Sequence, residues 1–120
     1  MSDLAEHTEI IRKFCKERDW GKRTNPKDMA LSLVLEASEV LEHYQWIKDV
    51  DVPEHSKKYK DDIAEELADT YYWILSLCDK LGIDLDVAFK AKMAKNAAKY
   101  PPEKVKGKST NKHTHKYTNL

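Results

Sequence analysis

The sequence predicts an all-α fold, a four-helix bundle-like subunit. Three observations predict it. The 120-residue chain holds only 3 Gly and 4 Pro, so helices meet few breakers. Four segments carry apolar residues at helical spacing between recognisable start and stop signals. Two of those segments repeat one acidic pattern, Glu36 with Glu39 and Glu66 with Asp69.

The first helix is expected from about Asp3 to Arg18, with Leu4, Ile10, Ile11, Phe14 and Cys15 as its stripe. Residues 21–27, GKRTNPK, read as a loop that ends in a helix start: Asn25 as N-cap, Pro26 in the first helical position, Asp28 in the first turn. The second helix is expected from Pro26 to Lys48. Its main stripe is Leu33, Val34, Ala37, Val40, Leu41 and Tyr44, and Leu31, Leu35 and Trp46 form a second one. A helix apolar on two sides is buried twice, so a subunit interface and an oligomer, most simply a dimer, are expected. Residues 49–55, DVDVPEH, read as a connector broken by Pro53. The third helix is expected from Ser56 to Leu81, with Gly82 after it. Asp84 caps a fourth, Leu85 to Lys99, which Tyr100-Pro101-Pro102 stops. The Lys-, Thr- and Asn-rich tail, 103–120, is expected to be disordered or packed on a partner subunit. No strand is predicted.

The composition excludes some functions. Charged residues make up 35% of the chain, yet the net charge is zero, which argues against a nucleic-acid binder working through bulk positive charge. No apolar run reaches the length of a membrane span, and MSDLAEHTEI is unlike a signal peptide. The expectation is a soluble cytoplasmic protein with no membrane partner. Cys15 and Cys78 fall on apolar helix faces and read as buried free thiols.

The acids carry the chemistry. Spacing of three places two carboxylates on one side of a helix. At about 100° per residue, Glu36 and Glu39 lie roughly 100° and 160° to one side of Ala37, the centre of their stripe. Glu66 and Asp69 lie at the same offsets, about 100° and 160°, from Leu67, whose stripe includes Ile63, Thr70, Tyr71, Ile74, Cys78 and Leu81. Packed antiparallel, the two helices bring four carboxylates to one place. Such a cluster needs a cation, and an all-oxygen set favours Mg²⁺ or Mn²⁺ over zinc. A di-iron site would want a Glu-x-x-His pair on each of two helices, but Glu42 and Tyr72 stand where those histidines belong. Mg²⁺ held by carboxylates completes its shell with waters and substrate phosphates, which points to phosphate chemistry. The alternative for each pair alone is a solvated helix face.

LVLEASEVLEHYQW (33–46), EELADTYYW (65–73) and KMAKNAAKYP (92–101), with the upstream ERDWGKRTNPKDMALSL, resemble the MazG-like nucleoside triphosphate pyrophosphohydrolases. The small single-domain branch that includes dCTP pyrophosphatases is the most similar. The resemblance implies a MazG-like helical domain over 1–102 in a homo-oligomer, dimer or tetramer. It implies Mg²⁺-dependent hydrolysis of a nucleoside triphosphate substrate to monophosphate and pyrophosphate, in the service of nucleotide-pool sanitation. Glu36, Glu39, Glu66 and Asp69 match the metal-ligand positions, and Glu36 or Glu39 would handle the attacking water. Glu42 and Glu65 match further acids. Lys92 and Asn96 match positions near the triphosphate, whereas Lys95 and Lys99 read as solvated.

Trp20, Trp46 and Trp73 are candidates to stack on the base. Many members have Phe-His where this chain has Arg23-Thr24 before Asn25-Pro26, so the base stays open. dCTP or a related or modified pyrimidine nucleotide is expected, with a dUTP-directed or broad-specificity pyrophosphatase as the alternative. A non-catalytic helical dimerisation module is the rival from another class. His43 reads as polar and partly exposed, with a role behind the metal ligands or as a proton relay as the alternative. His113 and His115 read as part of a solvated tail, and Tyr117 as a docking anchor.

Overall fold

The computed structural model describes residues 2–21, 24–111 and 116–119. His113, His115 and Arg23 lie outside the described residues. The chain forms two compact units, 1–85 and 86–120.

The first unit is built around α4. Ser2 caps α1 (Asp3–Glu17), its side chain accepting from the Ala5 N–H. α2 (Pro26–Glu42) starts as its sequence predicts: Asn25 Oδ1 accepts from the Asp28 N–H at 2.9 Å, and Pro26 takes the first turn. The helix ends at Glu42, before the expected Lys48. There the bonding tightens, with Tyr44 N–H donating to Leu41 O at 2.9 Å and His43 N–H to Val40 O at 3.3 Å. The turn brings the Tyr44 hydroxyl within 2.8 Å of Ser56 Oγ, a contact that continued helix would not make.

A short 3-10 turn (Asp49–Asp51) leads into α3 (Val52–Lys58). Pro53 therefore opens a helix rather than breaking a connector, since proline has no N–H to lose in a first turn. The expected third helix is divided at Tyr59, whose backbone leaves helical geometry at ψ 20. α4 (Lys60–Leu81) follows. Gly82 closes it at φ 67, with Ile83 N–H donating to Cys78 O at 2.8 Å. This left-handed end satisfies carbonyls that the helix leaves open, and glycine reaches it without a Cβ clash.

α2 and α1 both pack on α4. The end of α2 meets the beginning of α4, His43 against Glu66. Met29, near the start of α2, shares a cavity wall with Tyr72, Trp73 and Ser76 of α4. The two helices thus run antiparallel. Met29 and Leu75 are the buried hydrophobic residues, at 6% and 2% exposure.

The packed side of α2 differs from the expected one. Met29, Ser32, Leu33, Glu36, Glu39, Val40 and His43 are covered, with Ser38 apart from them, so the face centres near Glu36 rather than Ala37. Val34, Leu41 and Leu67, three members of the expected stripes, stay exposed at 63%, 59% and 52%. Periodicity sets the angles between residues on a helix. It does not say which of two apolar sides a neighbour in the same chain will cover.

The second unit carries α5 (Leu85–Lys99), which ends before the two prolines, and α6 (Pro102–Val105). Where no strand is expected, β1 (Lys108–Asn111) and β2 (Lys116–Asn119) pair antiparallel, Lys108 opposite Asn119 and Asn111 opposite Lys116. A polar ribbon of this length has no hydrophobic periodicity to announce it. Among the described residues, no helix is long and apolar enough to cross a membrane.

Candidate active site

Antiparallel packing brings the two acid pairs together. The effect is visible at Glu36, whose carboxyl is pushed above the ordinary range. Burial contributes most, followed by the charges of Glu39 and Asp69, a hydrogen bond with Glu39, and the charge of Glu66. The other three carboxylates predicted from spacing therefore act on Glu36, two of them across the α2–α4 seam. Glu36, Glu39 and Glu66 are half-buried, and Asp69 is exposed at the rim. Glu42 and Glu65 are exposed.

Glu66 Oε2 is buried and completes no hydrogen bond, although His43 Nε2 lies 2.7 Å from it. Half-buried carboxylates gathered at one seam call for a positive charge. The donors are all oxygen, which fits a hard divalent cation. Among the described residues, no three acidic, histidine or cysteine side chains already stand close enough to ligate one ion.

Behind this seam, on the α1 side of α4, lies a cavity of about 670 Å³, within the usual range for small-molecule sites. Trp20, Tyr72 and Trp73 line it together with Met29, Cys15 and Ile11. The Tyr72 hydroxyl lies 3.3 Å from Cys15 Sγ, and burial together with this contact pushes the phenol up to about 12. Trp73 stands edge-on to Tyr72, ring centres 5.0 Å apart, and Trp20 edge-on to Phe14 at 5.7 Å. Trp46, the other aromatic candidate, is 85% exposed in the turn after α2 and does not line the cavity. Lys92 and Asn96 sit one turn apart on α5, in the second unit, with Lys92 exposed and Asn96 half-buried.

His43, expected to be polar and partly exposed, has a side chain 17% exposed and stands 2.7 Å from Glu66 Oε2, a neighbour that spacing along the chain does not announce.

Packed helices that carry one pair of carboxylates on each of α2 and α4 define an all-α, acid-rich class. The MazG-like family profile matches residues 31–115. The chain is 32% identical to dCTP pyrophosphatase 1 of Rattus norvegicus over 119 residues, covering 98% of this chain and 67% of that protein. The human protein of the same name is 31% identical over the same shares. The crystal structure of a pyrophosphatase from Archaeoglobus fulgidus superposes with a TM-score of 0.79 at 36% identity, covering 84% of this chain and 94% of that one. The chain belongs to the MazG-like family.

Proposed function

We propose that this protein is a Mg²⁺-dependent nucleotide pyrophosphohydrolase that converts a pyrimidine deoxynucleoside triphosphate, dCTP or a modified relative, to the monophosphate and pyrophosphate. The enzyme class follows from the family and from relatives that are pyrophosphatases. The substrate and the metal are the proposal. The antiparallel packing of α2 on α4, which buries Glu36 in part and sets it against the charges of Glu39, Asp69 and Glu66, is the observation that carries it.

These four residues would hold the cation, with Mn²⁺ able to replace Mg²⁺. When bound, it would supply charge stabilisation for the phosphates and for the leaving pyrophosphate. Glu36 or Glu39 orients a water and accepts its proton as the oxygen bonds to the α-phosphorus. The bond from that phosphorus to the bridging oxygen breaks, and pyrophosphate leaves with the electron pair. Lys92 supplies a point positive charge for the triphosphate, and Asn96 an amide for a phosphate oxygen. Trp20 and Trp73 offer ring faces to the base, which a 670 Å³ cavity has room to admit. Trp46 remains a candidate for the same role from outside that cavity.

Exposed apolar side chains support a homo-oligomer. Leu31, Val34, Leu35 and Leu41 on α2 and Leu67 on α4 are all more than half exposed, at 59%, 63%, 56%, 59% and 52%. Exposed apolar side chains in such number are what an interface would cover.

The test is pyrophosphate release from a panel of canonical and 5-modified NTPs and dNTPs, with Mg²⁺ and with chelator. Mg²⁺-dependent release of pyrophosphate and monophosphate, ranked toward cytosine deoxynucleotides, is expected. Release of single phosphates rejects the proposed cleavage. A uracil-directed or flat ranking favours the dUTP or broad-specificity reading instead.

A further inference from the structure

We infer that His43 is a positioning residue for Glu66: it anchors one carboxylate oxygen and leaves the other to face the cation. The inference rests on the reading of the four carboxylates as a cation site.

His43 Nε2 stands 2.7 Å from Glu66 Oε2. At that separation a nitrogen lone pair and a carboxylate oxygen would repel, so a proton must lie between them. Glu66 is the natural acceptor, and imidazole supplies the N–H. The oxygen is buried, and its bond to the imidazole is close but not in line. The terminal torsions of Glu and His are broad, so a modest rotation completes it.

The ring does not stand alone. Tyr59 and His55 lie beside it, ring centres at 6.1 and 6.4 Å, and pack on each other at 4.6 Å. The Tyr44–Ser56 bond of 2.8 Å ties the turn after α2 to α3. The elbow between α2 and α4 thus holds the imidazole against Glu66. That gives the early end of α2 a purpose, since His43 is the first residue past the helix.

A ligand carboxylate held by a neighbouring N–H is already oriented when the cation arrives. Loss of such a partner weakens metal affinity about 10- to 100-fold. The anchor matters more here, because the Glu36 charge acts on Glu66 across the seam.

Mn²⁺ binding to the full chain without nucleotide, followed by electron paramagnetic resonance, tests the role. His43→Leu is expected to weaken binding about tenfold or more. His43→Gln, whose amide N–H reaches as far as Nε2, is expected to keep most of the affinity. Metal-free melting shows whether each variant is folded. Should the leucine variant unfold, His43→Asn repeats the test with an amide that falls short of Oε2, and loss is expected again. Unchanged affinity in a folded His43→Leu or His43→Asn overturns the role and leaves the cation site standing. Equal losses in His43→Gln and His43→Leu also overturn it, because shape rather than the donor would then matter. A wild-type chain that binds no Mn²⁺ overturns the cation site and the role of His43 together.

Discussion

α4 has two working sides, and they treat carboxylates in opposite ways. Toward α1, Asp79 meets the Arg12 guanidinium through two contacts, one of them 3.0 Å from Nε, and Arg12 also pairs with Glu9. Arg12 holds the Asp79 carboxyl below its ordinary range by hydrogen bonding and charge. His7 Nδ1 and the Tyr71 hydroxyl add a 2.7 Å bond on the same side. Toward α2, Glu66 and Asp69 meet Glu36 and Glu39, and Glu36 is pushed the other way. One side pairs its carboxylate with a cation of the same chain, and the other sets Glu36 among further carboxylates. Paired and crowded carboxylates thus differ in the direction of the shift, even on one helix.

The largest expected effect follows from emptying the unsatisfied side. Glu39→Ala and Asp69→Ala should each lower Mg²⁺-dependent pyrophosphate release by more than about a hundredfold, since the chemistry a cation supplies is worth several kcal/mol of barrier. Full activity in either variant would remove that residue from the site.

Next comes the cation itself. Mg²⁺ at about a hundred times its dissociation constant should stabilise the fold by roughly 2.7 kcal/mol, read as a rise in Tm. Asp69→Ala should abolish the rise, and Asp79→Asn should leave it intact.

Glu36→Gln sharpens the contrast through pH. A carboxyl raised in the folded state binds its proton more tightly there than in the unfolded chain. Its favourable share is present at low pH and is lost as pH rises through the folded value. Metal-free Glu36→Gln should therefore melt higher than wild type at neutral pH. A variant that melts lower would mean that Glu36 is held by its neighbours rather than repelled.

Asp79→Asn is expected to have the smallest effect, because its partner is solvent-exposed. The sign is opposite. A depressed carboxyl contributes above its unfolded value, and the contribution is lost as pH falls through the folded one. The variant should lose a little Tm at neutral pH and show a shallower loss on acidification.

Much of this was legible in the residues. The N-caps at Asn25 and the stop at Gly82 are local chemistry, and they appear where the sequence places them. Spacing of three on each of two helices sufficed to choose Glu36, Glu39, Glu66 and Asp69, because helical angles follow from residue number alone. Trp20 and Trp73 were chosen as aromatics, but only packing separated them from Trp46, which stands exposed in a turn.

What tertiary structure decided is which sides meet. The sequence by itself determined the helices, their caps and the angular place of each acid, since these depend on near neighbours along the chain. The early end of α2, the division at Tyr59 and the face centred on Glu36 depend on contacts between distant segments: Tyr44 with Ser56, His43 with Glu66, α2 against α4. No local periodicity encodes such contacts, because a stripe states only that something must cover it, not what will. His43 shows the difference most plainly. As a letter it is one polar residue after an acid pair, and the fold turns it into the neighbour of a buried carboxylate oxygen.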